Sequence, residues 1–492
     1  YFPVAFLVKT PLPTLLALLL SLLTLVLGRR RSLRDELALA LFPLTYAAFS
    51  LTSTINIGYR HLLPLLPFLF VGLGRIRNCE LRIASRGPRT LIPNSQFLIH
   101  HSQFLIWGLT IWLAITVALL SPHYLTFFNE IADGPGEGYR FLADSNTDWG
   151  QTLKALADYQ DAHNLGPVQL SLFTFLDPAA YGVEYTPIAP MAGAPPVLPR
   201  RFNPAPGVYA ISATTLDGVP LPLPSTYDWF RHRPPHARVG HATFVYQVPE
   251  SAGEWVAQCT QPVPPLTSQA IVEGFGSDGL RQIAFDCEQS WVFPAGGATP
   301  GWYARATPGI DRLRWPTDSE HLEWWPEWAR HLPLDALHLN YVQPTPGDLP
   351  AFATWEWPTA AVAPPTPVAP VELEGALAFL GVALPEAAAP GAQIDVLTYW
   401  RVVDLPAAPL SLMLHLTGAD GVPIAVGDGL GVPIDQWQVS DIIIQRHRLS
   451  VPEDTPAGVY QVRAGVYWLD TMERWYSVSG QADVIFSLEV DQ

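Results

Sequence analysis

The sequence is short of charge and of the usual catalytic signatures. It contains no glycine-rich phosphate loop, no His-Glu-x-x-His, no paired Cys-x-x-Cys and no Gly-x-Ser-x-Gly. Those absences remove the simplest routes to a nucleotide-phosphate cradle, a zinc protease, a thiolate metal site and a serine hydrolase elbow. Charged residues make up only 15% of 492 positions. What there is of positive charge is unevenly placed. Residues 1–121 hold eleven Lys/Arg against three Asp/Glu, and the remaining chain holds seventeen against forty-one. The large acidic part is a poor match to nucleic acid, so none is expected as a partner.

Proline is the opposite case. Fifty prolines are about twice the average share of roughly 5%. That composition disfavours a helical bundle over most of the chain and favours strands, turns and extended connections. Residue 1 is Tyr, and an apolar run begins almost at once with no charged region before it, so no signal peptide is read. The expectation is a chain truncated upstream.

Four apolar runs set the expectation for residues 1–121. Spans are placed at about 11–28, 37–54, 56–74 and 102–121, each close to the roughly 20 residues that cross about 30 Å of hydrocarbon. The third begins weakly and reaches spanning length only if its first turn lies at the interface. Arg29, Arg30, Arg31 and Arg34 follow the first span. Arg75, Arg77, Arg82, Arg86 and Arg89 follow the third. By the positive-inside rule both loops are cytoplasmic, and everything after Ser121 is outside. A short direct repeat, "SQFLIH" then "SQFLIW" at 95–107, reads as a local duplication leading into the last span. Cys79 falls in the second basic loop, whereas Cys259 and Cys287 fall outside, where a disulfide can persist. The sequence leaves open whether those two pair.

Beyond the spans, "GQTLKALADYQDAH" at 150–163 puts Leu153, Leu156, Ala157 and Tyr159 near one helical face. Runs at 167–175, 207–216 and 241–248 read as strands. Together they predict an α/β unit over 122–250. A tryptophan-rich, β-containing module is expected over 251–345, with Trp291, Trp302, Trp315, Trp324, Trp325 and Trp328. These are read as core residues rather than as sugar-stacking platforms. A proline-rich linker is expected over 346–370. Regular strand-length runs over 371–492 then predict an immunoglobulin-like antiparallel β-sandwich. The fold class is thus mixed: a polytopic helical membrane region followed by α/β, Trp-rich and sandwich parts.

The stretch "YRFLADSNTDWGQTLKAL" places Asp144, Asn146 and Asp148 at alternate positions. An EF-hand calcium loop would need Gly and Glu where Trp149 and Ala155 stand. A catalytic or acceptor-side cluster near the membrane is a second reading. The preferred one is a helix start, with Asp148 capping the next turn and Gln151 completing a capping box. His100 and His101 are neighbours that diverge on a helix, and His232 and His236 are separated by two prolines; neither pair is read as a metal site.

Taken together, "LVKTPLP", "NIGYRHLLPLLPFLFVGLG" and "SPHYLTFFNEIADGPGEGYRFLADSNTDWGQTLKALADY" resemble the C-terminal half of bacterial phospholipid-carrier-dependent glycosyltransferases. These are related to dolichyl-phosphate-mannose protein mannosyltransferases (glycosyltransferase family 39, GT-C architecture). The resemblance covers residues 1 to about 250. It implies sugar transfer from a polyprenyl-phosphate carrier to a glycan, lipid or protein acceptor at the outer face of a bacterial inner membrane. The family's catalytic acid lies in the first exterior loop, upstream of this sequence, so no catalytic residue is carried over. No cofactor is evident and a divalent-metal requirement stays open. By the topology above, Lys9, Arg60 and His61 lie at the outer interface, where cations suit a lipid phosphate. The alternative for Lys9 and Arg60 is anchoring at helix ends. A non-enzymatic membrane-anchored surface protein that binds glycans or a protein partner is the alternative for the whole chain.

Overall fold

The computed structural model describes residues 1–27, 33–52, 58–74, 95–195, 198–231, 233–263, 266–307, 320–343 and 351–491. The basic segments 29–31 and 75–94, with Cys79, as well as His232 and Trp315, lie outside the described residues. So do the first positions of the expected linker, 346–350. The chain divides into two compact units, one of Tyr1–Leu198 with Pro206–Pro249, the other of Pro199–Ala205 with Glu250–Gln492.

The first unit opens with helices α1 (Phe2–Lys9), α2 (Leu12–Leu27), α3 (Leu33–Thr52), α4 (Leu66–Leu73) and α5 (Ser95–Leu120). Pro11 follows Thr10, whose backbone is extended at φ −95° and ψ 130°. A residue before proline is driven out of the helical region, and the chain turns by 113° between α1 and α2. Among the described residues no single helix is long and apolar enough to cross a membrane. The bent pair Phe2–Lys9 with Leu12–Leu23 has the length and composition together. The expected third span starts as a 3₁₀ turn, Tyr59–Leu65, before α4. Pro64 and Pro67 supply no amide hydrogens to a continuous ladder there. Ser21 of α2 donates to the carbonyl of Gly72 in α4 at 2.7 Å. The outer sides of these helices are strongly apolar and exposed, with Phe49 at 76% and Leu119 at 81%.

The same unit continues as a small α/β fold. Helix α6 (Leu153–His163) precedes strands β1 (Val168–Ser171), β2 (Tyr185–Pro187) and β3 (Gly207–Ser212). Short helices α7 (Ala213–Asp217) and α8 (Asp228–Arg231) lead to β4 (Ala237–Val239) and β5 (Thr243–Val248). Sheet order is β2-β1-β3-β5-β4. The first three strands are parallel, with Gln169 beside Tyr209, and β5 then runs antiparallel to both β3 and β4. Helix α6 buries Leu153, Leu156, Ala157 and Gln160. The i, i+3, i+4, i+7 spacing selects Gln160 rather than Tyr159. Its Nε2 donates to the carbonyls of Glu184 at 2.9 Å and Gly166 at 3.3 Å, while its Oε1 has no partner among the described residues.

The second unit is β-rich. Its first strands are β6 (Trp255–Cys259), β7 (Arg281–Phe285), β8 (Ser290–Phe293), β9 (Gly301–Thr307), β10 (His338–Gln343) and β11 (Ala351–Trp357), with helix α9 (Ser268–Phe275) between β6 and β7 in the chain and packed on Val256 and Trp302. Five of these strands form one sheet in the order β10-β11-β9-β6-β7. After it come β12 (Thr366–Leu373), β13 (Leu377–Ala383), β14 (Ala387–Ala388), β15 (Gln393–Val402) and β16 (Leu410–Thr417). The last four are β17 (Pro423–Val426), β18 (Ile442–Ser450), β19 (Gly458–Trp468) and β20 (Asp483–Val490). They form a β-sandwich whose sheets are ordered β12-β13-β15-β18-β8 and β14-β20-β19-β16-β17.

Two expectations change here. The tryptophan-rich module and the sandwich are not separate bodies: β8 pairs antiparallel with β18, Trp291 opposite Ile444. Trp291, Trp325, Trp355, Trp357 and Trp400 share one buried cluster, so these indoles are core. Within the expected linker 346–370, the described residues form strand over 351–357 and again from 366 onward. Strand β11 lies inside a sheet and buries Trp355 and Trp357 completely. Strand β12 carries Pro367 and Pro370 at a sheet edge, where a missing amide hydrogen costs no ladder bond. Cys259, ending β6, and Cys287, beyond β7, are joined by a disulfide inside this core.

Candidate functional site

The segment that follows α5 folds back over the end of α1. Ala5 and Val8 of α1 pack with Phe128, Ala132 and Leu142. A helix C-terminus leaves carbonyls without partners, and Asn129 bonds three carbonyls at this end of α1. Its side-chain amide donates to Leu7 O at 2.6 Å and Thr10 O at 2.7 Å, and its backbone amide donates to Val8 O at 2.9 Å. Nothing in the sequence singles Asn129 out beyond its being a polar residue in an apolar stretch.

Lys9 belongs to the same joint. Its ammonium donates to Leu125 O at 2.8 Å and to the carbonyl of Asn146, and lies 4.0 Å from the centre of the Phe128 ring. The residue is buried. Lys9 therefore fastens the end of α1 to the segment 125–146, and its charge is turned toward backbone oxygens rather than toward open space.

Asn146 completes the joint. Its Oδ1 accepts from the Tyr59 amide at 2.8 Å; its Nδ2 donates to Ala143 O at 2.9 Å and to the Tyr1 hydroxyl at 3.2 Å. Gly58, with φ at +110°, passes so close that a Cβ there would lie 2.5 Å from Asn146 Oδ1. The "NIGYR" and "DSN" stretches thus meet, although 87 residues separate Tyr59 from Asn146. Asp144 and Arg60 are both near enough to the Tyr1 hydroxyl to act on it electrostatically.

Arg60 is exposed and forms no ion pair with any described residue. The ring of its neighbour His61 meets Phe2 edge-on with centroids 6.3 Å apart, and its carbonyl accepts from the Tyr46 hydroxyl at 2.9 Å. Phe2 in turn lines an open apolar chamber of about 770 Å³ walled by α1 to α4 and the turn before α4. Phe6, Leu18, Leu44 and Leu65 are among its walls, and Ser21 and Ser50 bring its hydroxyls. None of Arg60, His61 and Lys9 lines this chamber; His61 touches its wall at Phe2, and Arg60 stands two positions before the wall residue Leu62.

Asp148 takes no part in that assembly. Helix α6 begins later, at Leu153, with Thr152 as its flanking residue and no side-chain cap. Gln151 turns back instead: its Oε1 accepts from Trp149 N at 2.7 Å and its Nε2 donates to Thr147 O at 2.9 Å. The capping box expected from Asp148 and Gln151 is not formed. Asp148 Oδ2 accepts from Thr214 N at 3.2 Å, at the start of α7. Burial pushes its carboxyl up to about 7 against the opposing effect of bonds from Thr214 and Ser212. Its Oδ1 has no hydrogen-bond partner among the described residues. The alternating motif is thus split, Asn146 toward the helices and Asp148 into the α/β sheet. Among the described residues no three His, Cys, Asp or Glu side chains are grouped to hold a metal ion.

No protein-family model matches the chain, and no curated protein does. Among solved structures, a CARDB domain of the PF1109 protein from Pyrococcus furiosus, described as in complex with di-metal ions, is similar over 27% of this chain and 95% of its own. Identity is 12% and the TM-score 0.16, a likeness that carries no argument.

Proposed function

We propose that this chain is the C-terminal part of a polytopic membrane glycosyltransferase that moves a sugar from a polyprenyl-phosphate carrier to an extracytoplasmic acceptor. The observation that carries the reading is the apolar chamber, with His61 against its wall residue Phe2 and, next to His61 in the chain, an exposed Arg60 without an ion pair among the described residues. In this reading the four apolar helical regions lie in a bacterial inner membrane in the GT-C manner, and the α/β and β-rich parts lie outside.

An isoprenoid tail is apolar and flexible, and a chamber walled by Leu, Phe and Ala takes it at no cost in lost hydrogen bonds. The phosphate then sits at the polar rim. A guanidinium binds two phosphate oxygens at once, which suits Arg60. On transfer, the bond between the sugar's anomeric carbon and the phosphate oxygen breaks. The acceptor oxygen bonds that carbon and gives up its proton, and the electron pair stays on the carrier phosphate. Arg60 offsets the charge that develops there, with His61 as a further donor. Lys9 and Asn146 hold the rim in place from behind. Proton removal from the acceptor is assigned to no residue of this chain.

Transfer by the full-length protein in lipid nanodiscs, from a polyprenyl-phosphate-linked sugar, tests the reading. Arg60→Ala should lower transfer at least tenfold and Arg60→Lys should recover part of it. Unchanged transfer by Arg60→Ala would overturn the assignment.

A further inference from the structure

The chain carries an aromatic cluster that the transfer reading does not use. Trp149 follows the Asn146 joint by three residues. Its ring lies 5.1 Å from that of Phe173 and 6.2 Å from that of Phe175. Strand β1 ends at Ser171; Leu172 stays in the core, Phe173 and Thr174 are half-buried, and the chain emerges as a finger at Phe175 and Leu176. Phe175 is 90% exposed, Leu176 46% and Trp149 40%. Phe141 is likewise exposed. We infer that this finger docks into the headgroup layer of a lipid bilayer and acts as a second interfacial anchor of the α/β unit.

Position supports a lipid occupant. Asn146 is bonded to Tyr1 and to the Tyr59 amide, beside the ends of the apolar helices. Three residues reach at most about 10 Å, so Trp149 stays within that distance of this level. Tyr124 and Leu125, just past α5, are exposed in the same unit. Trp and Tyr favour the boundary between hydrocarbon and water, where an apolar body and a polar tip are both accommodated.

Chemistry separates lipid from a glycan. A sugar platform needs polar groups around its rings to meet hydroxyls. Here Thr174 and Gln151 are engaged by the protein's own backbone, and the exposed Asp177, at the base of the finger, has one carboxylate oxygen engaged in the same way. Thr174 Oγ1 accepts from Leu176 N at 3.0 Å, Asp177 Oδ1 accepts from Ala179 N at 3.0 Å, and the Gln151 amide bonds Trp149 N and Thr147 O. Leu176 and Phe175 at the tip offer only apolar surface. The inference rests on the membrane reading above.

The test uses the full chain, with Cys79→Ser and the disulfide intact, reconstituted in phosphatidylethanolamine–phosphatidylglycerol vesicles. An environment-sensitive NBD probe is attached at Phe175→Cys or, in a second protein, at Ile111→Cys on α5. Nitroxide lipids quench at shallow or deep positions. Docking predicts a blue-shifted probe at 175 quenched more by shallow than by deep nitroxide, with the probe at 111 quenched by the deep one. An aqueous, unquenched probe at 175 beside a quenched one at 111 overturns the docking and leaves the membrane reading standing. Aqueous probes at both positions overturn both. A probe at 175 that is aqueous in vesicles and shifts only on addition of acceptor oligosaccharide overturns the docking in favour of a sugar platform.

Discussion

Gly58 and Asn146 form an interlocked pair: the glycine lacks the one carbon that would strike the asparagine's side chain. At φ +110° a substituted residue would be strained even without that contact. Gly58→Ala should therefore cost at least about 2 kcal/mol of stability. Asn146→Ala leaves the Tyr59 amide without its acceptor, a loss of about 1–3 kcal/mol. The double variant should be less damaging than the sum, because Asn146→Ala also removes the atom that the methyl added at position 58 would meet. Thermal unfolding of the four proteins measures the cycle. Strict additivity would show that the contact does not govern Gly58.

Asp148 predicts a pH effect of one sign. Its carboxyl titrates at about 7 in the folded chain, raised by burial, against an ordinary value of about 3.9 unfolded. Below about pH 4 both states hold the proton, and the group is neutral to stability. Between there and pH 7 the unfolded chain loses its proton first, so stability falls as pH rises. The full difference is roughly 4 kcal/mol. Asp148→Asn keeps an acceptor for the Thr214 amide and cannot ionise. It should be more stable than the parent at pH 8 and nearly equal at pH 4.5. Hydrogen exchange of the Thr214 region at the two pH values reads this directly. The helix-start reading of Asp148 leads instead to nearly unchanged stability at neutral pH, because asparagine caps a helix about as well as aspartate.

Local spacing is what misplaces Asp148 in the sequence. Asp148 and Gln151 have the separation of a capping box, but the partner that wins, Thr214, lies 66 residues away. The same holds for Lys9, whose charge points toward an anion in the sequence, whereas its partners are carbonyls 116 and 137 residues on. Periodicity serves better where burial is one-sided: α6 and β5 stand where the patterns put them, whereas the run at 207–216 is strand only as far as Ser212 and then turns into helix α7. The 346–370 segment fails for another reason. Proline content argues for a linker, but Trp355 and Trp357 bury more apolar surface than the flanking prolines forbid. The sandwich strands are legible from their alternation and turn signals, while the pairing of β8 with β18 is a register fact that local pattern does not carry.

His447 gives a pH effect in the opposite direction in the second unit. The imidazole is fully buried, with Nδ1 at 2.6 Å from Gly427 O and Nε2 at 2.7 Å from Thr398 Oγ1. Burial lowers it to about 4, with His415 also lowering it and Gly427 and Asp428 opposing. Above about pH 6.5 both states are neutral. As pH falls toward 4 the unfolded chain gains a proton that the folded one refuses, so stability is lost by roughly 3 kcal/mol. His447→Gln should flatten this decline. Exchange protection of β18 and β15 amides between pH 7 and 4.5 is the measurement, and an unchanged slope in the variant would assign the loss elsewhere.

The disulfide between Cys259 and Cys287 closes a segment of 28 residues with its Cα atoms 5.2 Å apart. Fixing those ends in the unfolded chain removes loop entropy worth about 3–4 kcal/mol. Both cysteines sit in the core, and the carbonyl of Cys287 accepts from the Trp328 indole at 3.1 Å. Loosening of this crosslink is therefore felt by the neighbouring tryptophans. Cys259→Ser with Cys287→Ser would place two hydroxyls in an apolar site and confuse the result. Cys259→Ala with Cys287→Ala avoids this and should lower the unfolding midpoint of the second unit, with native-like tryptophan fluorescence below it. The midpoint of the unsubstituted protein should fall comparably when it is unfolded in dithiothreitol, while the alanine variant stays unaffected by the reductant. Equal sensitivity of the two proteins to reductant would mean that the crosslink does not stabilise this core.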